Sequence, residues 1–125
     1  MEANRNLVVV VDDDVSYREA LEELISSFGL CATSFASARE FLNSEVSETA
    51  ACLVVDVQMP GMDGLELQSA LNEQHRTIPT IFVTSFADAA TRTRAMAAGA
   101  LSVLDKPVDH DVLIRQINGV LEHAG

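Results

Sequence analysis

Basic residues are scarce in this chain. Eight stand against 19 acidic residues among 125, for a formal net charge of −11. Nucleic acid is a polyanion that such a surface repels, so direct nucleic-acid binding by this chain is not expected. The acidity suits a cation such as Mg²⁺ or a partner with a basic surface, although most of the acidic residues need only be a solvated exterior. Cysteine is nearly absent as well. Cys31 and Cys52 lie in apolar runs, with no CxxC and no histidine nearby, so buried free thiols are expected rather than a disulfide or metal site. His75, His110 and His123 form no ligand spacing and carry no assigned role. No apolar stretch reaches the roughly 20 residues that span a bilayer. The opening MEANRNLVVVVDDD turns acidic too soon for a signal peptide. A soluble, cytoplasmic, single-domain protein over residues 1–125 is expected, with no membrane contact and no effector domain within this chain.

What the chain does have is a repeated arrangement. VVVVDDD ends in Asp12, Asp13 and Asp14; LVVDVQMPGMDG reaches Asp56 and then a Pro/Gly turn; TIFVTS ends in Thr84 and Ser85; LSVLDKP ends in Lys106, the only lysine. Four apolar runs of strand character therefore finish with carboxylates, hydroxyls and a cation. In a parallel sheet those ends meet at one edge, where open α/β sheets bind their ligands.

Helical patterns alternate with these strands, which predicts an α/β fold with a parallel sheet. After a first strand over 7–11, Leu21, Leu24, Ile25 and Phe28 mark one face of a helix, with Ser16 and Glu19 spaced as a capping box and Gly29 as its stop. A second strand is expected over 31–35. Ser37 and Glu40 then open a helix burying Phe41 and Leu42, and residues 43–49 read as a polar loop. The central strand is placed at 52–55, a helix at 65–74 with Leu67, Ala70 and Leu71 inward, and the fourth strand at 80–83. Residues 88–98 form an alanine-rich helix whose thin apolar stripe, chiefly Met96, predicts a mobile element. Gly99 ends it, a fifth strand spans 102–104, and a last helix spans about 110–122. Together these make a doubly wound (βα)5 domain.

Carboxylates gathered at one edge repel one another, and a hard divalent ion relieves that repulsion. Mg²⁺ takes one or two protein carboxylates and keeps positions open for water and phosphate oxygens, whereas the absence of soft ligands argues against Zn²⁺. A carboxylate can also attack phosphorus and form an aspartyl phosphate, which requires a cation and hydrogen-bond donors around the transferring group. Lys106 and Thr84 supply these. Each residue alone has an ordinary reading: Asp14 as a helix cap, Asp63 as turn chemistry, Thr84 as a strand residue, Lys106 as a surface cation. Their coincidence at four strand ends favours the functional one.

The motifs VVVVDDD, LVVDVQMPGMDG, FVTS, AGA at 98–100 and DKP at 105–107 resemble the receiver domain of two-component response regulators, over essentially the whole chain. The subgroup that precedes helix-turn-helix output domains is the most similar. The resemblance implies a flavodoxin-like doubly wound fold with a five-stranded parallel sheet in the order 2-1-3-4-5. It implies that Asp56 accepts a phosphoryl group from a histidine kinase or phosphotransfer protein. Mg²⁺ would be held by Asp13, Asp56 and the backbone carbonyl of Gln58, with Asp12 acting through water. Lys106 would pair with the phosphoryl group through a loop whose bond to Pro107 is cis. Thr84 would swing toward the phosphate, and Ser85 is suitably small beside it. A homodimer through the fourth helix, fifth strand and fifth helix is implied as a phosphorylation-dependent outcome.

Two positions depart from the family's pattern. Val103 stands where an aromatic residue often couples to the threonine, and Val108 where phenylalanine often follows the Lys-Pro pair. Transmission is then expected to run through residues 85–87 and the alanine-rich helix. A rival reading is a Mg²⁺-dependent phosphohydrolase resembling the haloacid dehalogenases, which also forms an aspartyl phosphate. That family keeps a second aspartate two residues after its nucleophile, where Gln58 stands here, and a capping insertion is missing. A pseudo-receiver acting only as a binding module would lack the acceptor or the lysine, and both are present.

Overall fold

The computed structural model describes residues 7–124, with side chains over 7–122. The leader and His123 readings therefore fall, wholly or in part, outside the described residues. The elements follow in strict alternation: β1 (Leu7–Val11), α1 (Val15–Ser27), β2 (Cys31–Phe35), α2 (Ala38–Leu42), a short 3-10 helix (Glu45–Glu48), β3 (Cys52–Asp56), α3 (Gly64–Glu73), β4 (Thr80–Thr84), α4 (Ala89–Ala97), β5 (Ser102–Asp105) and α5 (His110–Ala124). The strands form one five-stranded sheet ordered β2-β1-β3-β4-β5, and every pairing is parallel. This is the doubly wound flavodoxin-like topology expected.

The β-branched runs form strands because both faces of the sheet are covered. All residues of β1, β3 and β4 are buried. Alternate side chains go to opposite sides. Val9, Val11, Leu53, Val55 and Phe82 meet Phe41, Leu67 and Leu71 on one face. Val8, Val10, Val54, Ile81 and Val83 meet Leu21, Ile25, Leu113, Ile114 and Ile117 on the other. Among the described residues no helix is long and apolar enough to cross a membrane.

Several local expectations are corrected. α1 is capped not by Ser16 but by Asp14, whose extended backbone lets its carboxylate accept the Tyr17 amide at 3.1 Å. The helix therefore starts two residues earlier than a Ser16 cap would place it, consistent with the cap reading of Asp14. Phe28 falls beyond the last helical turn and is exposed. Cys31 is free, as expected, but exposed, because it opens an edge strand paired only with β1; Cys52 is free and buried. Ser37 does cap α2, but Glu40 turns its carboxylate to the Ala36 amide and leaves the box open. The loop at 43–49 contains the 3-10 turn. The complete capping box belongs to Asp63 and Glu66 at the start of α3, with both bonds at 2.8 Å. Met96, expected to anchor α4, is half exposed, and Ala95 is the residue that packs inward.

α4 is instead attached by polar groups. Arg92 donates to the Val103 carbonyl at 2.9 Å and to the Asp105 carboxylate at 3.1 Å. Asn72 on α3 donates to the Ala98 carbonyl at 3.1 Å. Gly99 then breaks the helix with φ +105°, in the left-handed region glycine favours.

Candidate functional site

Parallel register brings the strand ends into line. Val11 lies beside Val55, Asp56 beside Val83 and Thr84 beside Asp105. Asp12, Asp56, Thr84 and Lys106 consequently follow one another along the C-terminal edge of the sheet. One carboxylate oxygen from each of Asp12, Asp13 and Asp56 lies within 4.8 Å of the other two. The Lys106 ammonium donates to Asp12 at 2.9 Å and to Asp56 at 3.1 Å. Asp12 and Asp56 are buried, while Asp13 faces solvent.

The backbone holds each carboxylate in place. Asp12 accepts the Asp14 amide at 2.9 Å through its other oxygen, and Arg18 donates to the Asp12 carbonyl at 3.0 Å. Asp56 accepts the Gln58 amide at 3.1 Å, which leaves the Gln58 side chain in solvent. Beneath Asp56, α3 starts in close contact with β3. A Cβ on Gly64 would stand 2.6 Å from the Asp56 carbonyl oxygen and 3.0 Å from both the Val57 Cα and the Phe82 ring. Only glycine lets the helix begin there.

Burial is the main influence on Asp56 and pushes its pKa above the usual carboxylate range. The Gln58 amide opposes this, the Asp12 charge reinforces it, and Lys106 opposes it again. Burial acts to lower the Lys106 pKa, but its bonds and ion pairs with Asp12 and Asp56 outweigh that effect and hold it above the ordinary lysine value. The cation of the site is therefore permanent at neutral pH.

The donor set fits a hard divalent ion. Three carboxylates lie together, two of them paired with one ammonium, and no histidine or cysteine belongs to the group. The remaining expected residues surround this cluster. Thr84 is buried at the end of β4, its hydroxyl accepting the Phe86 amide at 3.4 Å and its carbonyl accepting the Lys106 amide at 2.9 Å. Ser85 follows it into solvent. The Lys106–Pro107 bond is cis, as the resemblance implied. Val103 is not part of the cluster. It lies in the core beside Phe82.

Sequence reasoning missed Tyr17, Arg18, Gly64 and Arg92. Tyr17 places its ring centroid 4.5 Å from the Lys106 ammonium and its hydroxyl 3.2 Å from the Val108 amide, which it accepts. The available signal was a lone tyrosine in the helical turn after an acidic strand end. Gly64 was visible only as one more glycine in a turn.

Comparison with known proteins agrees with this geometry. A family model described as the response regulator receiver domain matches residues 8–118. The transcriptional regulatory protein TdiR of Thauera aromatica is 38% identical over 118 residues, covering 94% of this chain and 52% of that protein. Nodulation protein W of Bradyrhizobium diazoefficiens is 38% identical over 120 residues, covering 96% and 53%. The chain thus spans about half the length of the curated relatives it matches. A crystal structure of a response regulator receiver protein from Pseudoalteromonas atlantica superposes with a TM-score of 0.88 at 28% identity, over 95% of this chain and 99% of that one. A sheet of this order, an acidic edge faced by one lysine and a family match over nearly all described residues agree: the chain belongs to the response regulator receiver domains, which act as phosphorylation-dependent signalling switches rather than as enzymes with a turned-over substrate.

Proposed function

We propose that Asp56 is the phosphoacceptor and that the whole of residues 1–125 works as one receiver unit. A carboxylate oxygen of Asp56 attacks the phosphorus of a phosphohistidine on a histidine kinase or phosphotransfer protein. The acyl phosphate bond forms as the phosphorus–nitrogen bond breaks, and the imidazole leaves. The observation that carries this reading is the placement of Asp56 within ion-pair distance of Lys106 and within 4.8 Å of the Asp12 and Asp13 oxygens. When bound, Mg²⁺ neutralises carboxylate and phosphoryl charge at this edge. Asp13, Asp56 and the Gln58 carbonyl would hold it, with Asp12 assisting from beside them. Lys106 shifts a donated hydrogen bond from carboxylate to phosphoryl oxygen. The Thr84 hydroxyl turns from the Phe86 amide to the phosphate, and the small side chain of Ser85 leaves room for it.

The output lies outside the receiver, in a segment or partner corresponding to the other half of the relatives' length. Nucleic acid would be met there and not by this acidic domain. Phosphorylation favours a homodimer through α4, β5 and α5. Phosphorylation by acetyl phosphate in Mg²⁺ tests the acceptor. One hydroxylamine-sensitive acyl phosphate is expected on Asp56, none on Asp56→Asn, and a labelled but poorly switching Lys106→Ala. Persistent labelling of Asp56→Asn would sink the assignment.

A further inference from the structure

Tyr17 is the only tyrosine of the chain and Lys106 the only lysine, and the fold sets one over the other. The ammonium lies 4.5 Å from the ring centroid, within the range of a cation–π contact. Both ends of Tyr17 are fixed. Its amide is held by the Asp14 cap at 3.1 Å, and its hydroxyl accepts the Val108 amide at 3.2 Å, in the loop that follows Lys106. An ammonium has three N–H bonds. Two are directed at Asp12 and Asp56, and the ring face is a third close neighbour.

We propose that Tyr17 is a positioning residue for Lys106: its ring holds the ammonium within the acidic edge, and its hydroxyl ties the loop carrying that lysine to α1. The proposal rests on the reading that Lys106 answers the phosphoryl group. A lysine stem is long and flexible, and both of its carboxylate partners are claimed by other groups once metal and phosphate arrive. The ring is neutral and keeps its hold when they do. Tyr17 thereby limits where the cation goes as it shifts from carboxylate to phosphoryl oxygen. Among the described residues, the ring and hydroxyl bond to Lys106 and Val108, not to the metal-site carboxylates.

A single lysine makes the test direct. Protein labelled with ¹³C,¹⁵N-lysine gives one side-chain resonance set, and the Lys106 Hε protons should lie upfield under the ring current. Tyr17→Phe should keep that shift, and Tyr17→Leu should return it to the ordinary lysine position. In saturating Mg²⁺, Tyr17→Leu should raise the half-saturating acetyl phosphate concentration about two- to fivefold, the factor expected for a partly exposed cation–π contact. Mg²⁺ affinity by calorimetry should stay unchanged, and Tyr17→Phe should remain close to the wild type. Identical Hε shifts in wild type and Tyr17→Leu would overturn the contact. A lost shift with unchanged half-saturation, or an equal fall in Mg²⁺ affinity, would overturn the positioning role. A wild type that takes no label would overturn the phosphoacceptor reading instead, while the resonances still decide the contact.

Discussion

Asp56 is held in a place where its own charge is unwelcome. It is buried, faces the Asp12 carboxylate and has the shared ammonium of Lys106 as its cation. A carboxyl whose folded pKa lies above the unfolded value, about 3.9, binds its proton more tightly in the folded state. Its contribution to stability is full below the unfolded pKa and is lost as pH rises through the folded one. At neutral pH Asp56 therefore works against the fold. Replacing it with asparagine removes one negative charge, and Lys106 keeps Asp12 at 2.9 Å as a partner. Asp56→Asn should unfold in urea with a stability higher by ~1 kcal/mol at neutral pH. The gain should shrink as pH falls from neutral through the raised folded-state pKa, because the wild-type carboxyl then takes up its proton. A variant less stable than the wild type at neutral pH, or a difference that ignores pH, would contradict this account.

At the scale of elements, α3 shows how the site constrains its support. Alanine is the better helix former by up to about 1 kcal/mol, yet a Cβ on Gly64 would meet the Asp56 carbonyl oxygen at 2.6 Å. The obstructing atoms are backbone and a core ring, which cannot swing aside. Gly64→Ala should lower stability by ~1–3 kcal/mol, the usual range for overpacking, and weaken Mg²⁺ binding by displacing Asp56. Thermal unfolding with and without the metal would show it, and an unchanged melting temperature would refute it. The same elements separate what the sequence revealed from what it did not. The carboxylates, Thr84 and Lys106 were legible because parallel strands end together, so apolar runs with polar ends predict a common edge. Tyr17 escaped notice because its meeting with Lys106 joins α1 to the loop after β5 across the whole chain. Met96 misled because hydrophobic residues were assumed to face the core, while the rotation of α4 directs the small Ala95 inward. Ser16 misled for a simpler reason: a better placed aspartate, Asp14, captured the cap first.

Across the whole molecule the helices are unequally secured, for α2 and α3 bury Phe41, Leu67 and Leu71 on the same side of the sheet as the thinly packed α4. α1 and α5 bury Leu21, Ile25, Leu113, Ile114 and Ile117 against one side, whereas α4 buries only Ala95 on the other. With Asp56 as the proposed acceptor, phosphorylation would add about two negative charges at the rim. Reversing a 1:99 population takes roughly 5.5 kcal/mol of differential stabilisation, so the element that responds must be one whose attachment is weak. α4 meets that condition. It follows Thr84 through a short loop and is attached through Arg92 to Val103 and Asp105 and through Asn72 to Ala98. The Arg92–Asp105 pair is largely exposed and so contributes little to global stability. It nonetheless ties α4 to β5, and with valine at 103 no aromatic rotamer can take over that link. Arg92→Ala should therefore cost less than ~1 kcal/mol in urea unfolding while raising amide exchange throughout Ala89–Ala97. Phosphorylation of the wild type should change exchange over residues 85–104 and leave α1 and α2 as they were. If protection changes instead across α1 and α2, or if Arg92→Ala leaves α4 as protected as before, the signal leaves the acidic edge by another route.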